Sequence, residues 1–337
     1  MTIKIGDSLL PYFEKSFAFI RRKEVNISIK YAVVIACMYI LFRRLNESDF
    51  RPEIWVKNIR NLYTILPFVL LSFLNFFLDV YLWALISKGS HKLRLSHYAY
   101  HHLISMSLGF ITPNNIGEYG GKMRQFDAPI SRVKGFLLAF HFRTVKKVAR
   151  NIIGLIATIL LFTDHNIFFL KDWHIFLFTI VVITYFLIYW NIELFIPYIS
   201  NISIQGKNYF QLFLRIKVSD INKLKWIGIS ALKFVIYTSQ MTLLLMSLAS
   251  EDLSFFEIWL FVAFYYSLAS YLPTILAFDP IVKGAMGIIL LNQLHLNDWT
   301  ILSSITLVWA ANIAVPSIIG SLLWIRKNHP PVKCSRS

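Results

Sequence analysis

The sequence predicts an all-α polytopic membrane protein, with about six full transmembrane crossings and two Pro-broken re-entrant hairpins. Three observations predict it. The chain is 56% hydrophobic and only 15% charged over 337 residues, where soluble domains carry about 25% charged residues. Several apolar runs exceed the ~18 residues that mark a membrane helix. None of these runs alternates in the way that β-barrel strands do. The same composition excludes disorder, because the chain has ample apolar surface to bury.

The elements follow in order. Residues 1–30 read as a cytoplasmic interfacial segment. Within it, Leu9 to Lys23 mixes Leu, Phe and Ile with Lys15, Arg21 and Arg22, the pattern of an amphipathic helix on an anionic leaflet. It has no small-residue cleavage site before the next apolar run, so it does not read as a signal peptide. Residues 31–325 read as a single polytopic membrane domain. Its apolar segments fall at about 31–42, 61–87, 95–113, 135–163, 173–192, 227–250, 258–278 and 299–325. The first is short. Asp79 interrupts the second, and four basic residues interrupt the fourth. The segments 95–126 and 258–291 contain Pro113 and Pro273, each of which removes a backbone donor and breaks the helical ladder. Broken backbone at membrane depth persists where protein buries it or where it lines a polar cavity. Both segments are therefore expected to be hairpins, the second having two full spans as its alternative.

Loop charge gives the orientation. Residues 1–30 hold six Lys/Arg and three acids, the connector 193–225 holds five and two, and the basic tail 326–337 holds four and none. These three belong in the cytoplasm by the positive-inside rule, and the acidic connector 251–257 belongs outside. The connector 43–60 disagrees, with five Lys/Arg and three acids on a side that the topology places outside. Both termini are expected inside. The net charge of +16 fits the same bias and contact with anionic lipid, rather than nucleic acid.

The two hairpins share a local pattern. Ser107-Leu108 precedes Pro113 by the same spacing with which Ser267-Leu268 precedes Pro273. Glu118 and Lys122 stand i,i+4 in the first, and Asp279 and Lys283 do so in the second. The hairpins enter from opposite sides between crossings of opposite direction, which makes them a candidate inverted-topology repeat. Transporters built this way hold substrate at broken helices near the bilayer midplane.

The segment Leu108 to Arg124 resembles the lysylphosphatidylglycerol synthase transmembrane region, also called the flippase-like integral membrane family. That family's first motif reads roughly Thr-Pro-Gly-x-Leu/Ile-Gly-Glu with a basic residue several positions later. Thr112, Pro113, Ile116, Gly117, Glu118 and Arg124 fit it, and Asn114 replaces the glycine. Phe142-Arg143 occupies the place of the family's Arg-containing helix. Its second motif falls near Pro273, where the glycines are missing and Asp279 stands in for the Glu. The resemblance covers most of the chain in segment pattern and about 20 residues in motif. It implies the lipid-translocating part of aminoacyl-phospholipid synthases without the attached aminoacyltransferase domain. The expected location is the bacterial cytoplasmic (inner) membrane.

The candidate binding residues begin with Arg143, Lys146, Lys147 and Arg150. Their i, i+3, i+4, i+7 spacing puts them on one helix face. The apolar flank after Arg150 is about 12 residues, roughly 18 Å, which is short of a core of about 30 Å. Part of the stripe therefore sits at membrane depth, where a cation costs at least about 2.5–3.5 kcal/mol. Arg forks gripping phosphate would compensate that cost; snorkelling to the interface is the alternative. Asn114, Asn115, Gly117, Glu118, Lys122 and Arg124 complete the expected substrate site. Pro113, Pro273, Asp279, Lys283 and Asp79 are the expected gating or coupling residues.

The expected function is translocation of an anionic or isoprenoid-linked lipid between leaflets. One alternative is an intramembrane enzyme on lipid-linked substrates, with Glu118 or His102 as acid/base. The other is a non-catalytic partner of a separate synthase or glycosyltransferase. His97 and His101 have HxxxH spacing, but no Glu follows His97, so the metalloprotease motif is absent. Cys37 and Cys334 are the two cysteines, and they lie too far apart in sequence and character to suggest a framework. No metal and no cofactor are expected.

Overall fold

The computed structural model describes residues 23–47, 62–87, 94–112, 115–126, 129–165, 172–191, 219–248 and 254–326. Residues 1–22, Pro113, Asn114, most of the connector 193–225 and the tail after Arg326 lie outside these ranges, and so do the sequence expectations placed on them. The described residues are all-helical and contain no strand.

Helix α1 spans Lys23–Glu47 and begins well before the apolar run at 31. Helix α2 spans Leu62–Ser87, α3 Leu95–Ile111 and α4 Ile116–Met123. The long helix α5 spans Pro129–His165, and α6 spans Asp172–Trp190. Then come α7 at Asp220–Leu248, α8 at Phe255–Ala269 and α9 at Asp279–Leu291. Helix α10, Asp298–Trp309, runs through a π turn at Ala310–Ala314 into α11, Val315–Arg326. Local chemistry starts several of them. The Ser254 hydroxyl accepts from the Glu257 N–H at 3.2 Å, one half of a capping box. The Asn297 side chain accepts from the Trp299 N–H at 2.8 Å, capping α10. The π turn ends two residues before Pro316, whose ring clashes with the carbonyl four residues back in a regular helix.

Among the described residues, three helices are long and apolar enough to cross a bilayer: Thr64–Ser87, Asp220–Leu248 and Asp298–Arg326. Helices α6 and α8 are apolar but shorter, and α5 is long but carries the basic stripe. The outward faces are apolar. Phe176, Ile183, Leu187, Ile318, Leu322 and Ile325 are all exposed, while Asn75, Asp79, Lys122, Gln240 and Asn312 are buried. Apolar outside and polar inside is the arrangement a lipid solvent favours.

Both proline-containing segments are helix–break–helix units whose second arm folds back on the first. In the first, an added Cβ at Gly117 would lie 2.1 Å from the Leu108 carbonyl oxygen. One at Gly121 would lie 2.5 Å from Ser105 Cα. In the second, the Tyr265 hydroxyl on α8 donates to the Lys283 carbonyl on α9 at 2.8 Å. The contacts between the two halves are reciprocal. Helix α2 packs on α7. The first unit packs through α3 on α11, the last helix of the second half, and the second unit packs through α8 on α5, the last helix of the first half. Gly320 meets the Leu103 backbone and Gly154 meets Ser267, so a glycine permits the close approach in both contacts.

Two apolar clusters hold these elements. One centres on α8, α9 and α10, with Phe264, Ile288 and Ile301. The other joins α2, α5 and α6 through Trp83, Phe142 and Tyr189. Charged side chains lie beside the second cluster.

Candidate functional site

The first break is built by the residues that spell the motif. The Thr112 hydroxyl donates to the Leu108 carbonyl at 2.9 Å and accepts from the Gly117 N–H at 2.8 Å. That pair of bonds closes the turn between α3 and α4. Asn115 occupies the left-handed region at φ 56°, a conformation that asparagine tolerates better than most residues. Its carbonyl accepts from an Arg143 guanidinium nitrogen at 3.2 Å.

Five elements then converge on one charged cluster. Asp79 of α2 lies near Lys146 Nζ at 3.2 Å, Lys233 Nζ at 3.0 Å and His102 Nε2 at 3.9 Å. His102 of α3 places its other ring nitrogen 3.1 Å from Lys122 Nζ. Lys122 of α4 lies 3.7 Å from Glu118, whose second oxygen lies 3.9 Å from Arg143 Nε. The Lys122 ammonium is fully buried and sits 4.0 Å from the Phe142 ring centroid and 4.5 Å from that of Trp83. The ring faces add attraction of the cation–π kind, and the carboxylates add charge pairing in a weakly screening interior.

The stripe cations keep partial exposure. The Arg143 side chain is 28% exposed and that of Lys146 is 25%, whereas Lys122 is at 0%. The stripe also connects the two breaks. Arg143 meets Asn115 at the first. Lys147 lies 4.4 Å from the Tyr185 ring and 4.6 Å from that of Tyr271, the residue that opens the second break. Its ammonium donates to the Tyr185 hydroxyl at 2.8 Å. Arg150 is the last rung, and its Nε is buried without a hydrogen bond to the described residues.

The second break has its own pair. The Thr274 hydroxyl donates to Asp279 Oδ1 at 2.7 Å, and Lys283 donates to the other carboxylate oxygen. Asp279 and Lys283 therefore neutralise each other at the start of α9. Pro273 lies in the break and is exposed.

The expected residues thus divide. Asp79, Asn115, Glu118, Lys122, Arg143 and Lys146 come together. Lys147 and Arg150 extend the same face, and Asp279 and Lys283 form a separate pair. Gly117 is occupied by packing on α3. Arg124 is exposed and lies over the Trp324 ring at 4.7 Å, outside the cluster. Sequence reasoning missed Lys233. Its signal was the one that flagged Asp79, a lone charge inside an apolar run, here 227–250. His97 is exposed, whereas His102 is buried within the cluster. No protein-family model matches this chain, and no curated protein matches it.

Proposed function

We propose that the chain translocates an anionic lipid-linked substrate between the leaflets of a membrane. One observation carries the reading: a face of cations that runs from one helix break to the other, with fewer acids than cations among the described residues. Lys122, Arg143, Lys146 and Lys233 stand against Asp79 and Glu118, four cations to two carboxylates. Excess charge at membrane depth needs a counter-ion, and a lipid phosphate is the one that a bilayer supplies. The headgroup would travel along the stripe while its tail stays in lipid.

The architecture supports the same reading. The helices pair reciprocally, α2 with α7, and each broken unit with the far helix of the other half. That reciprocity supports an inverted-topology repeat, an architecture that exposes a central site to one side and then the other. In this account the chain makes about six crossings with two re-entrant units and keeps both termini in the cytoplasm of a bacterium. The likeness of Leu108–Arg124 to the flippase-like family points the same way.

The test is a leaflet-accessibility assay in proteoliposomes with fluorescent anionic and zwitterionic lipids. The anionic lipid should move, and the double variant Arg143→Ala/Arg150→Ala should move it at least about tenfold more slowly, the effect expected when charge-assisted contacts are removed. Circular dichroism and thermal melting should match the parent. An unchanged rate in a folded double variant would overturn the proposal.

A further inference from the structure

We infer that the stripe recognises a phosphate group carrying at least two negative charges, a phosphomonoester or a diphosphate, rather than the single charge of a phosphodiester headgroup. The inference rests on the reading of the stripe as a headgroup site and adds the charge class of the substrate.

The argument is one of charge balance. The inner cluster already holds two cations more than carboxylates. Lys147 and Arg150 continue the same face of α5, and among the described residues no carboxylate lies within ion-pair distance of either. The nearby acid Asp279 is held by Lys283 and Thr274. Among the described residues six cations therefore face two acids, an excess of four. The Tyr185 and Tyr271 rings solvate the Lys147 ammonium, but a ring quadrupole does not remove a net charge. The buried Nε of Arg150 without a hydrogen bond is a donor awaiting an acceptor, and such groups carry a penalty until they are paired. One phosphodiester would leave most of the excess in place. A diphosphate offers more charge and more acceptor oxygens, spread along a face on which Arg143 and Arg150 stand about 10 Å apart by helical rise.

Binding is measured with the full chain in nanodiscs of phosphatidylcholine. The probes are farnesyl diphosphate, farnesyl phosphate, phosphatidylglycerol and free inorganic pyrophosphate. Farnesyl diphosphate should bind at least about tenfold more tightly than phosphatidylglycerol, with the monophosphate between them. Lys147→Gln and Arg150→Gln should each erase most of that preference. Lys225→Gln, at an exposed position on α7 away from the cluster, should leave it intact. Competition by free pyrophosphate would assign recognition to the phosphate alone. Failure of pyrophosphate to compete, with farnesyl diphosphate still preferred, would assign it to the lipid-linked form. Both outcomes keep the charge class.

Equal affinity for farnesyl diphosphate and phosphatidylglycerol would overturn the inference, and so would a preference that survives both stripe variants. Leaflet movement of phosphatidylglycerol without a diphosphate preference would remove this inference and spare the transport reading. A diphosphate preference without leaflet movement of any lipid would do the reverse.

Discussion

Asp79 is the residue on which the charged cluster turns. It bridges α2, α3, α5 and α7 through Lys146, Lys233 and His102. Replacing it with Asn would keep its shape but leave two ammonium groups facing each other. Breaking a buried pair costs about 3–5 kcal/mol; the side chains here are 13–25% exposed, which lowers the expected loss to about 2–3 kcal/mol. Asp79→Asn should therefore melt well below the parent, and adding Lys233→Gln should recover part of the loss. Equal melting of Asp79→Asn and the parent would show that the cluster does not hold the helices. Asp79 was legible in the sequence as a lone intramembrane acid. The stripe, to which Lys146 belongs, was a candidate partner in the sequence; Lys233 and His102 were not, because a single run of residues says nothing of which distant helix packs beside it. Lys233 carried the same lone-charge signal, but its pairing with Asp79 was hidden for that reason. Arg124 fits the motif by position, while α4 ends at Met123 and Arg124 lies over the Trp324 ring, outside the cluster.

Among the elements, the first broken unit depends on how closely α4 lies on α3. An added Cβ at Gly121 would come within 2.5 Å of Ser105 Cα, while one at Gly120 would meet nothing within 4 Å. Gly121→Ala should cost about 1–3 kcal/mol by overpacking. Gly120→Ala should gain up to about 1 kcal/mol from helix propensity. Thermal melting of the two variants should move in opposite directions; shifts of the same sign and size would contradict the packing. The sequence marked an interruption between two helices here, and α3 and α4 flank it, because Thr112, Pro113 and the glycines are local signals. It placed the first of the glycines, Gly117, in the expected substrate site. At Gly117 and Gly121 their use is contact between helices, a tertiary fact that no local pattern encodes. Helix α1 shows the opposite limit. Hydropathy marked only 31–42, yet the helix runs Lys23–Glu47, because polar residues such as Lys, Glu and Arg extend a helix as readily as apolar ones.

For the whole molecule, the helical class and the apolar runs were legible from composition and period. The reciprocal packing of the two halves was foreshadowed only by the shared Ser-Leu-to-Pro spacing and the acid–Lys pairs. The structure adds that the stripe on α5 reaches from Asn115 at one break to Tyr271 at the other. The proposed transport rests on that span.

A photoreactive anionic lipid, with its diazirine in the headgroup, tests it most directly. Bound to the full chain in neutral nanodiscs and then irradiated, it should label Asn115, the 143–150 face and Tyr271, as read by peptide mass spectrometry. Labelling should fall when excess unlabelled anionic lipid is added. Labelling confined to the outward apolar faces, such as Phe176 on α6 and Ile318 and Leu322 on α11, would contradict the account.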